Sequence, residues 1–305
     1  MKINTIPSPT WNWLHMNEVI VLDDLDGEEQ KIEIKENQKV FKPLRMKIHL
    51  EEEKDGANGF DFRLEPKSSL TVIMNLTSET GIKAKYLNKI KYLCKEDAKL
   101  TLIQVLMAGD KVEVFHDIDG VCESKGEFHL IQLVLGGKTT NISCQNDLVG
   151  KEGKATIDLG YLLKKKEKLD VNYVVNHIGK KTTCDIDVNG VLKDEAHKLF
   201  RGTIDFKKGA SGSVGSEMED VLLMGEDIVN QSLPVILCGE EDVEGNHGAS
   251  IGELNEDLMF YMESRGIPKE QVYETMARAR IDVIKNKIVD EETRKLVDEY
   301  LEQIG

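Results

Sequence analysis

The chain has 305 residues, 40% apolar and 31% charged, with a net charge of −15. That is an ordinary globular mix, long enough for one large domain or two smaller ones. No run approaches the roughly 18 apolar residues of a membrane helix, and an acidic surface repels phosphate, so neither a membrane nor a nucleic-acid partner is expected.

The N-terminal stretch MKINTIPSPTWNWLHMN lacks the apolar region of a secretory signal, and the cytoplasm is the expected compartment. Residues 1–40 read as a short N-terminal segment. From 41 to 250 the chain alternates at period two: Met46, Ile48 and Leu50; Phe60, Phe62 and Leu64; Leu70, Val72, Met74 and Leu76; Leu169, Val171, Tyr173 and Val175; Phe200, Ile204 and Phe206. Each row places apolar side chains on one face of a strand. Asp–Gly, Asn–Gly, Gly–Gly and Lys–Lys–Gly sequences read as the turns between strands, and the lysine runs at 164–166, 180–181 and 207–208 as solvated turns. Residues 67 to 233 contain no proline, as expected of strands paired on both sides. Many short strands separated by small turns favour a β-solenoid over a sandwich.

The last part of the chain, 251–305, reads as a small helical domain. Asn255 is an N-cap followed by Glu256 and Asp257, Gly266 is a stop, and Pro268 opens a second helix. Val272, Met276, Ala279 and Val283 form the expected apolar stripe of that helix. Asp290 caps a third, with Val297, Tyr300, Leu301 and Ile304 on its apolar side. The helices are expected to carry apolar faces independent of the β region, so that removing residues 268–305 leaves that region folded.

Motifs for turnover chemistry are missing. LGGKTT (135–140) has Gln132 where a phosphate loop needs glycine, and a strand pattern follows it. GASGSVG (209–215) lacks dinucleotide spacing, and neither HExxH nor GxSxG occurs. The protein is therefore not expected to be an enzyme. The five cysteines, Cys94, Cys122, Cys144, Cys184 and Cys238, include no CxxC pair, so the fold or a second chain must assemble any metal site. Cys144, Cys184 and Cys238 share strand phase with Ile142, Ile186 and Ile236. They read as core cysteines or as inward thiols that carry sulfur or bind iron. His247 sits between Gly245 and Gly248 at the sheet-to-helix junction, in no aliphatic stripe, and can offer imidazole to a metal.

NHGASIGELNEDLMFYMESRGIP (246–268), together with VNGVLKDEAHKLFRGTIDFKKGA and MEDVLLMGED upstream, resembles the SufB/SufD family of iron–sulfur cluster assembly scaffolds, more closely its SufD side. The ordered resemblance spans about residues 165–290. It implies a mainly β protein, a right-handed parallel β-helix with a small C-terminal α-helical domain. It also implies a nascent iron–sulfur cluster built at the interface of two β-helix subunits, as a homodimer or with a SufB-like partner. A SufC-type ABC ATPase would dock on the C-terminal helices, and apo-proteins would receive the cluster. By the same resemblance His247 matches the SufD-side ligand, and Glu219 stands where SufB-type chains carry cysteine. Cys184, Cys238 or Cys144 would then have to supply a thiol, unless the partner brings one. Two alternatives remain at this stage: a structural ATPase-binding subunit without its own cluster, and a carbohydrate-acting solenoid with a carboxylate pair.

Overall fold

A computed structural model describes residues 2–10, 16–20, 27 and 29–304 of the chain. Most of the TWNWLHMN stretch lies outside them. Two short strands, β1 (Lys2–Ile3) and β2 (Val19–Ile20), pair antiparallel. The remaining strands alternate between two parallel sheets of eight. One contains β3 (Glu29–Ile34), β5 (Gly56–Leu64), β7 (Lys85–Cys94), β9 (Glu113–Cys122), β11 (Thr139–Leu148), β13 (Lys168–His177), β15 (His197–Phe206) and β17 (Val229–Cys238). The other contains β4 (Leu44–Leu50), β6 (Ser69–Ser78), β8 (Lys99–Met107), β10 (Glu127–Val134), β12 (Lys154–Leu163), β14 (Thr183–Lys193), β16 (Ser213–Met224) and β18 (Val243–Gly252). The chain thus winds a β-solenoid of about eight turns. Its first strand, β3, falls within the segment that the sequence pattern set aside as N-terminal.

Register makes the core. Leu70, Leu100, Phe128, Ala155 and Cys184 stack in one inward column, and Val72, Leu102, Leu130, Ile157 and Ile186 in the next. All ten are buried, and each large aliphatic side chain removed from water contributes about 1.5–3 kcal/mol. Prolines mark the limits of double pairing: Pro43 directly precedes the edge strand β4, and Pro234 lies in the edge strand β17, where the absent N–H need not serve a further neighbour.

Gly136–Gly137 and the Lys207–Gly209 turn lie at corners as expected. Asp119–Gly120 and Asn189–Gly190 do not; they sit inside β9 and β14. A Cβ on Gly120 would lie 2.1 Å from the Tyr92 ring, and one on Gly190 would lie 1.9 Å from the Tyr161 ring. These glycines make room for a tyrosine of the preceding coil rather than turn the chain.

The helices α1 (Glu256–Ser264), α2 (Lys269–Lys285) and α3 (Glu291–Ile304) follow. Asn255 Oδ1 accepts the N–H groups of Asp257 and Leu258, and Asp290 accepts from Thr293 at the start of α3. The buried stripe of α2 differs from the expected one. Val272 is buried, but Ala279 and Val283 are exposed, and Ala277, Ile281 and Ile284 face inward instead. The rotation sets two isoleucines against the protein and leaves Val283 and Ala279 in water, which buries more apolar surface.

Nor do these helices keep a core to themselves. Ile281, Ile284, Ile288, Val297 and Leu301 pack on Ile73, Ile103, Val105, Ile131 and Leu133, on the outer face of the even-numbered sheet. Lys287 reaches Asp158 and Asp187, both at 2.5 Å, and Arg45 reaches Asp290 at 2.5 Å. The expectation of independent apolar faces is corrected accordingly. Among the described residues no helix is long and apolar enough to cross a membrane.

Ending the chain at residue 267 should therefore expose Ile103, Ile131 and Leu133 and yield an aggregating β region by size-exclusion chromatography. A monodisperse, cooperatively unfolding fragment would contradict the shared core. The milder Ile284→Ala should lower the unfolding free energy by about 2–4 kcal/mol, as other large-to-small core changes do.

Candidate functional site

The last coil leaves the solenoid open. Among the described residues β17 pairs only with β15, and β18 only with β16. Inward columns that are sealed elsewhere by the next coil end here in solvent. His247 stacks on Glu217, Ala249 on Glu219, and Cys238 on Phe206. His247 and Cys238 are consequently exposed although they occupy core-facing positions. Successive strands lie about 4.8 Å apart, so each coil below the mouth is one such step deeper.

One step down, the aliphatic lining gives way to charge. Lys198 is 0% exposed, Glu217 3% and Glu219 4%. The Lys198 ammonium donates to the Glu219 carboxylate and, at 2.9 Å, to Ser232 Oγ. Burial lowers the lysine's pKa and the glutamate pulls the other way. The Glu217 carboxylate, by contrast, has no hydrogen-bond or ion-pair partner among the described residues. It extends across the lumen toward β15, where a Cβ on Gly202 would lie 1.8 Å from its Oε2. Desolvation, reinforced by the Glu219 charge and opposed by Lys198, pushes its pKa up to about 7. Glu217 is thus a buried, unpaired carboxylate directly beneath His247.

The candidate residues from the sequence lie at four depths. His247 and Cys238 are at the mouth and Glu219 one coil below. Cys184 on β14 is two coils below the mouth and Cys144 on β11 three. Both deep thiols are buried, and burial pushes their pKa up to about 12. Cys184 Sγ lies 3.2 Å from His177 Nε2, and Asn146 Nδ2 donates to Cys144 Sγ at 3.5 Å. Among the described residues no group of three or more His, Cys, Asp or Glu side chains within the chain could hold a metal. The mouth sets His247 in register over Glu217, whereas Cys238 stacks on Phe206, four residues along β17 from Pro234, which stacks on the Gly202 that faces Glu217.

The sequence reading missed Glu217 and Lys198. Both were visible in principle, because Glu217 shares inward phase with Glu219 and Val221, and Lys198 shares it with Phe200 and Ile204. The signal was full charge in inward columns that elsewhere hold apolar or uncharged polar residues, such as Leu169 and Thr140 below Lys198 and Val188 and Gln132 below Glu219.

Fold and mouth together define a parallel β-solenoid with an ionisable, unsealed end. The sequence profile of the SUF system FeS cluster assembly SufBD core domain matches residues 57–280, and the chain belongs to that family. It is 30% identical to the iron–sulfur cluster assembly protein SufD of Bacillus subtilis over 127 residues, 42% of this chain and 29% of that one. A SufBD family protein of Mycobacterium leprae is 20% identical over 218 residues, 69% of this chain and 56% of the relative. SufD of Plasmodium berghei is 23% identical over 228 residues, 73% and 17% respectively. The chain therefore spans little more than half the length of these relatives, and in two cases less than a third.

The raised Glu217 pKa has a consequence for stability. Between about pH 4.5 and 7 the folded protein holds a proton that the unfolded chain releases, so stability is lost as pH rises through that window. Glu217→Gln removes the dependence. The variant should gain on the parent between pH 4.5 and 8 by up to about 3 kcal/mol at 1.36 kcal/mol per pKa unit, measured by urea unfolding. Glu167, also pushed up to about 7, is present in both chains and cancels. A difference that does not vary with pH would refute the assignment.

Proposed function

We propose that this chain is a SufD-like scaffold that receives a nascent iron–sulfur cluster at the open mouth of its solenoid, paired there with a second SufBD-type chain. The observation that carries this reading is an exposed His247 on a core-facing column, in register above Glu217 and one coil over the buried Lys198–Glu219 pair. Burying Lys198, Glu217 and Glu219 in the lumen costs several kcal/mol per ion unless paired, which favours a purpose beyond packing. The family's membership in FeS cluster assembly supplies the cargo. Cys238 and His247 offer thiolate and imidazole, ligand types suited to iron in a sulfide-rich setting. A single mouth presents too few of them, and a second chain set against β17 and β18 would complete the shell. Two identical copies would present self-complementary strand edges about a two-fold axis; a SufB-like partner would add its own thiol.

The ATPase-docking surface of this reading is α1. The apolar stripes of α2 and α3 are occupied by the sheet, whereas α1 buries only Met259 and holds Phe260 at 75% and Tyr261 at 52% exposure. These rings follow the mouth strand within ten residues, so an ATPase bound there could transmit movement to β18.

The reading of a structural subunit without its own cluster draws on the Lys198–Glu219 pair, which occupies the carboxylate at the SufB cysteine position. The carbohydrate reading loses support, because Glu217 and Glu219 are buried inside the lumen with no room for a sugar ring.

Anaerobic reconstitution with iron and sulfide should give the chain and its partner the broad visible absorbance of a cluster. His247→Ala should retain less iron with unchanged far-UV circular dichroism. A parent protein that never gains the absorbance, alone or with a SufB-type chain, overturns the scaffold reading in favour of the structural one. Separately, Phe260→Asp should abolish co-purification with a SufC-type ATPase while leaving the melting curve unchanged. Undiminished capture would remove α1 from the docking surface.

A further inference from the structure

Two of the three lysine runs that read as turns in the sequence come together in the fold. The corners that lead from an odd-numbered strand to the next even-numbered one stack along one edge of the solenoid. Residues 123–126, 149–153, 178–182 and 207–212 are four successive corners of that row. Backbone hydrogen bonds stitch them together: Lys125 N–H donates to the Lys151 carbonyl, Glu152 N–H to that of Lys180, and Lys181 N–H to that of Ser211. They hold six lysines, Lys125, Lys151, Lys180, Lys181, Lys207 and Lys208, against two glutamates, Glu123 and Glu152. All six lysines are exposed. Lys151 pairs with Glu152 at 3.2 Å and Lys207 with Asp205 at 2.5 Å; the other four have no ion-pair partner among the described residues. Lys151, joined by Lys125 and Lys181 from the neighbouring corners, holds the Glu152 carboxyl below its usual range, so the three cations share one field.

The strip is bounded. The corner below it carries Glu96 and Asp97, and the corner above it Glu240, Glu241 and Asp242. The third run, at 164–166, lies at the far end of the ten-residue β13, about 33 Å away at strand rise. There Lys164 donates to the Ile304 carbonyl, Lys165 reaches Asp110 and Lys166 reaches Glu195, so that run is satisfied within the chain. The basic ridge also carries apolar surface. Val149 and Ile178, each 40% exposed, stand first in successive corners, two residues before Lys151 and Lys180.

We propose that this ridge docks an acidic amphipathic helix of another protein, with carboxylates on the lysines and an apolar stripe on Val149 and Ile178. Four corners span three strand steps, about 14 Å. A helix repeats a face once per turn, about every 5.4 Å, close to the coil step of about 4.8 Å. Carboxylates spaced three or four residues apart therefore meet successive corners over about three turns. A nucleic acid would meet the same lysines but has no use for the two apolar side chains, and the acidic remainder of the molecule repels its phosphates. Exposed lysines of this kind set partner choice and association rate, while the apolar pair adds contact that salt does not screen. The ridge involves neither the mouth nor α1, so it stands apart from the scaffold reading.

The test uses the full chain and a fluorescent, side-chain-stapled helical peptide of about four turns, bearing glutamate once per turn and leucine on the adjoining stripe. Binding is followed by anisotropy in 0.1 M salt. Lys180→Glu with Lys181→Glu should weaken it by about tenfold or more, because like charges then face each other. Lys165→Glu with Lys166→Glu should leave it within about twofold, since screening confines each charge to roughly 10 Å. Val149→Ser with Ile178→Ser should cost about threefold through lost apolar contact, with unchanged affinity for a duplex DNA probe. All variants alter exposed side chains and should keep the parent's far-UV circular dichroism and its cluster loading. No binding of the peptide, or equal loss in the two lysine reversals, overturns the proposal. So does a peptide of the same composition with scrambled glutamates that binds as tightly. DNA that binds more tightly than the peptide, indifferent to Val149 and Ile178, would make the ridge a polyanion site instead.

Discussion

Parallel in-register stacking is the constraint on which the rest of this molecule depends. Once each strand pairs residue for residue with the coil before it, a side chain's neighbours are fixed by its column, and its burial by whether another coil follows. In the middle of the solenoid that rule produces a buried ladder mostly of Leu, Ile, Val and Phe, interrupted by the hydrogen-bonded His116, Gln104, Gln132 and Tyr173. Where a tyrosine occupies a column, the next coil must give way, and Gly120 and Gly190 do so above Tyr92 and Tyr161. At the last coil the same rule leaves core-facing residues at the surface, because among the described residues no further strand covers them. His247 is exposed for the reason that Ile186, two coils down its own column, is buried.

Period two and the placement of proline made most of the fold legible in the sequence, since both follow from strand geometry and ladder hydrogen bonding. Glycine was read less well. Asp–Gly and Asn–Gly dipeptides look identical whether glycine turns the chain or clears space for a ring in another coil, and only the register decides between them. The second helix shows a similar degeneracy. Val272, Met276, Ala279 and Val283 have the correct spacing for an apolar face, but so do Ala277, Ile281, Ile284 and Ile288, one residue round. The sheet's Ile103, Ile131 and Leu133 choose between them. The mouth was half legible. His247 was marked by residue type and its flanking glycines and Cys238 by strand phase, whereas Glu217 and Lys198 were passed over because charged residues in alternating strands ordinarily point to water. Here the alternation continues and the polarity inverts.

Packing of the C-terminal helices also decides what they can offer to others. A free-standing helical domain would present the faces of all three helices. Because α2 and α3 are held to the solenoid by five apolar side chains and by Lys287 and Arg45 ion pairs, they act as a buttress, and α1 is left with exposed aromatic rings. Residues 253–255 join it directly to β18. The strand bearing His247 and the helix bearing Phe260 are therefore consecutive pieces of one chain, which gives a partner on α1 a short mechanical path to the mouth.

The charges at the mouth form a graded set rather than a uniform one. Lys198 and Glu219 neutralise each other inside the lumen, and this pair holds β15 to β16 across the space that aliphatic side chains fill lower down. Glu217 remains the third, odd charge. A lone carboxylate in that setting is favoured in its protonated form, and burial together with the Glu219 charge pushes its pKa up to about 7. The lysine thus does more than neutralise a neighbour: by satisfying Glu219 it leaves Glu217 unsatisfied, and it keeps the unsatisfied group in the column that ends at His247.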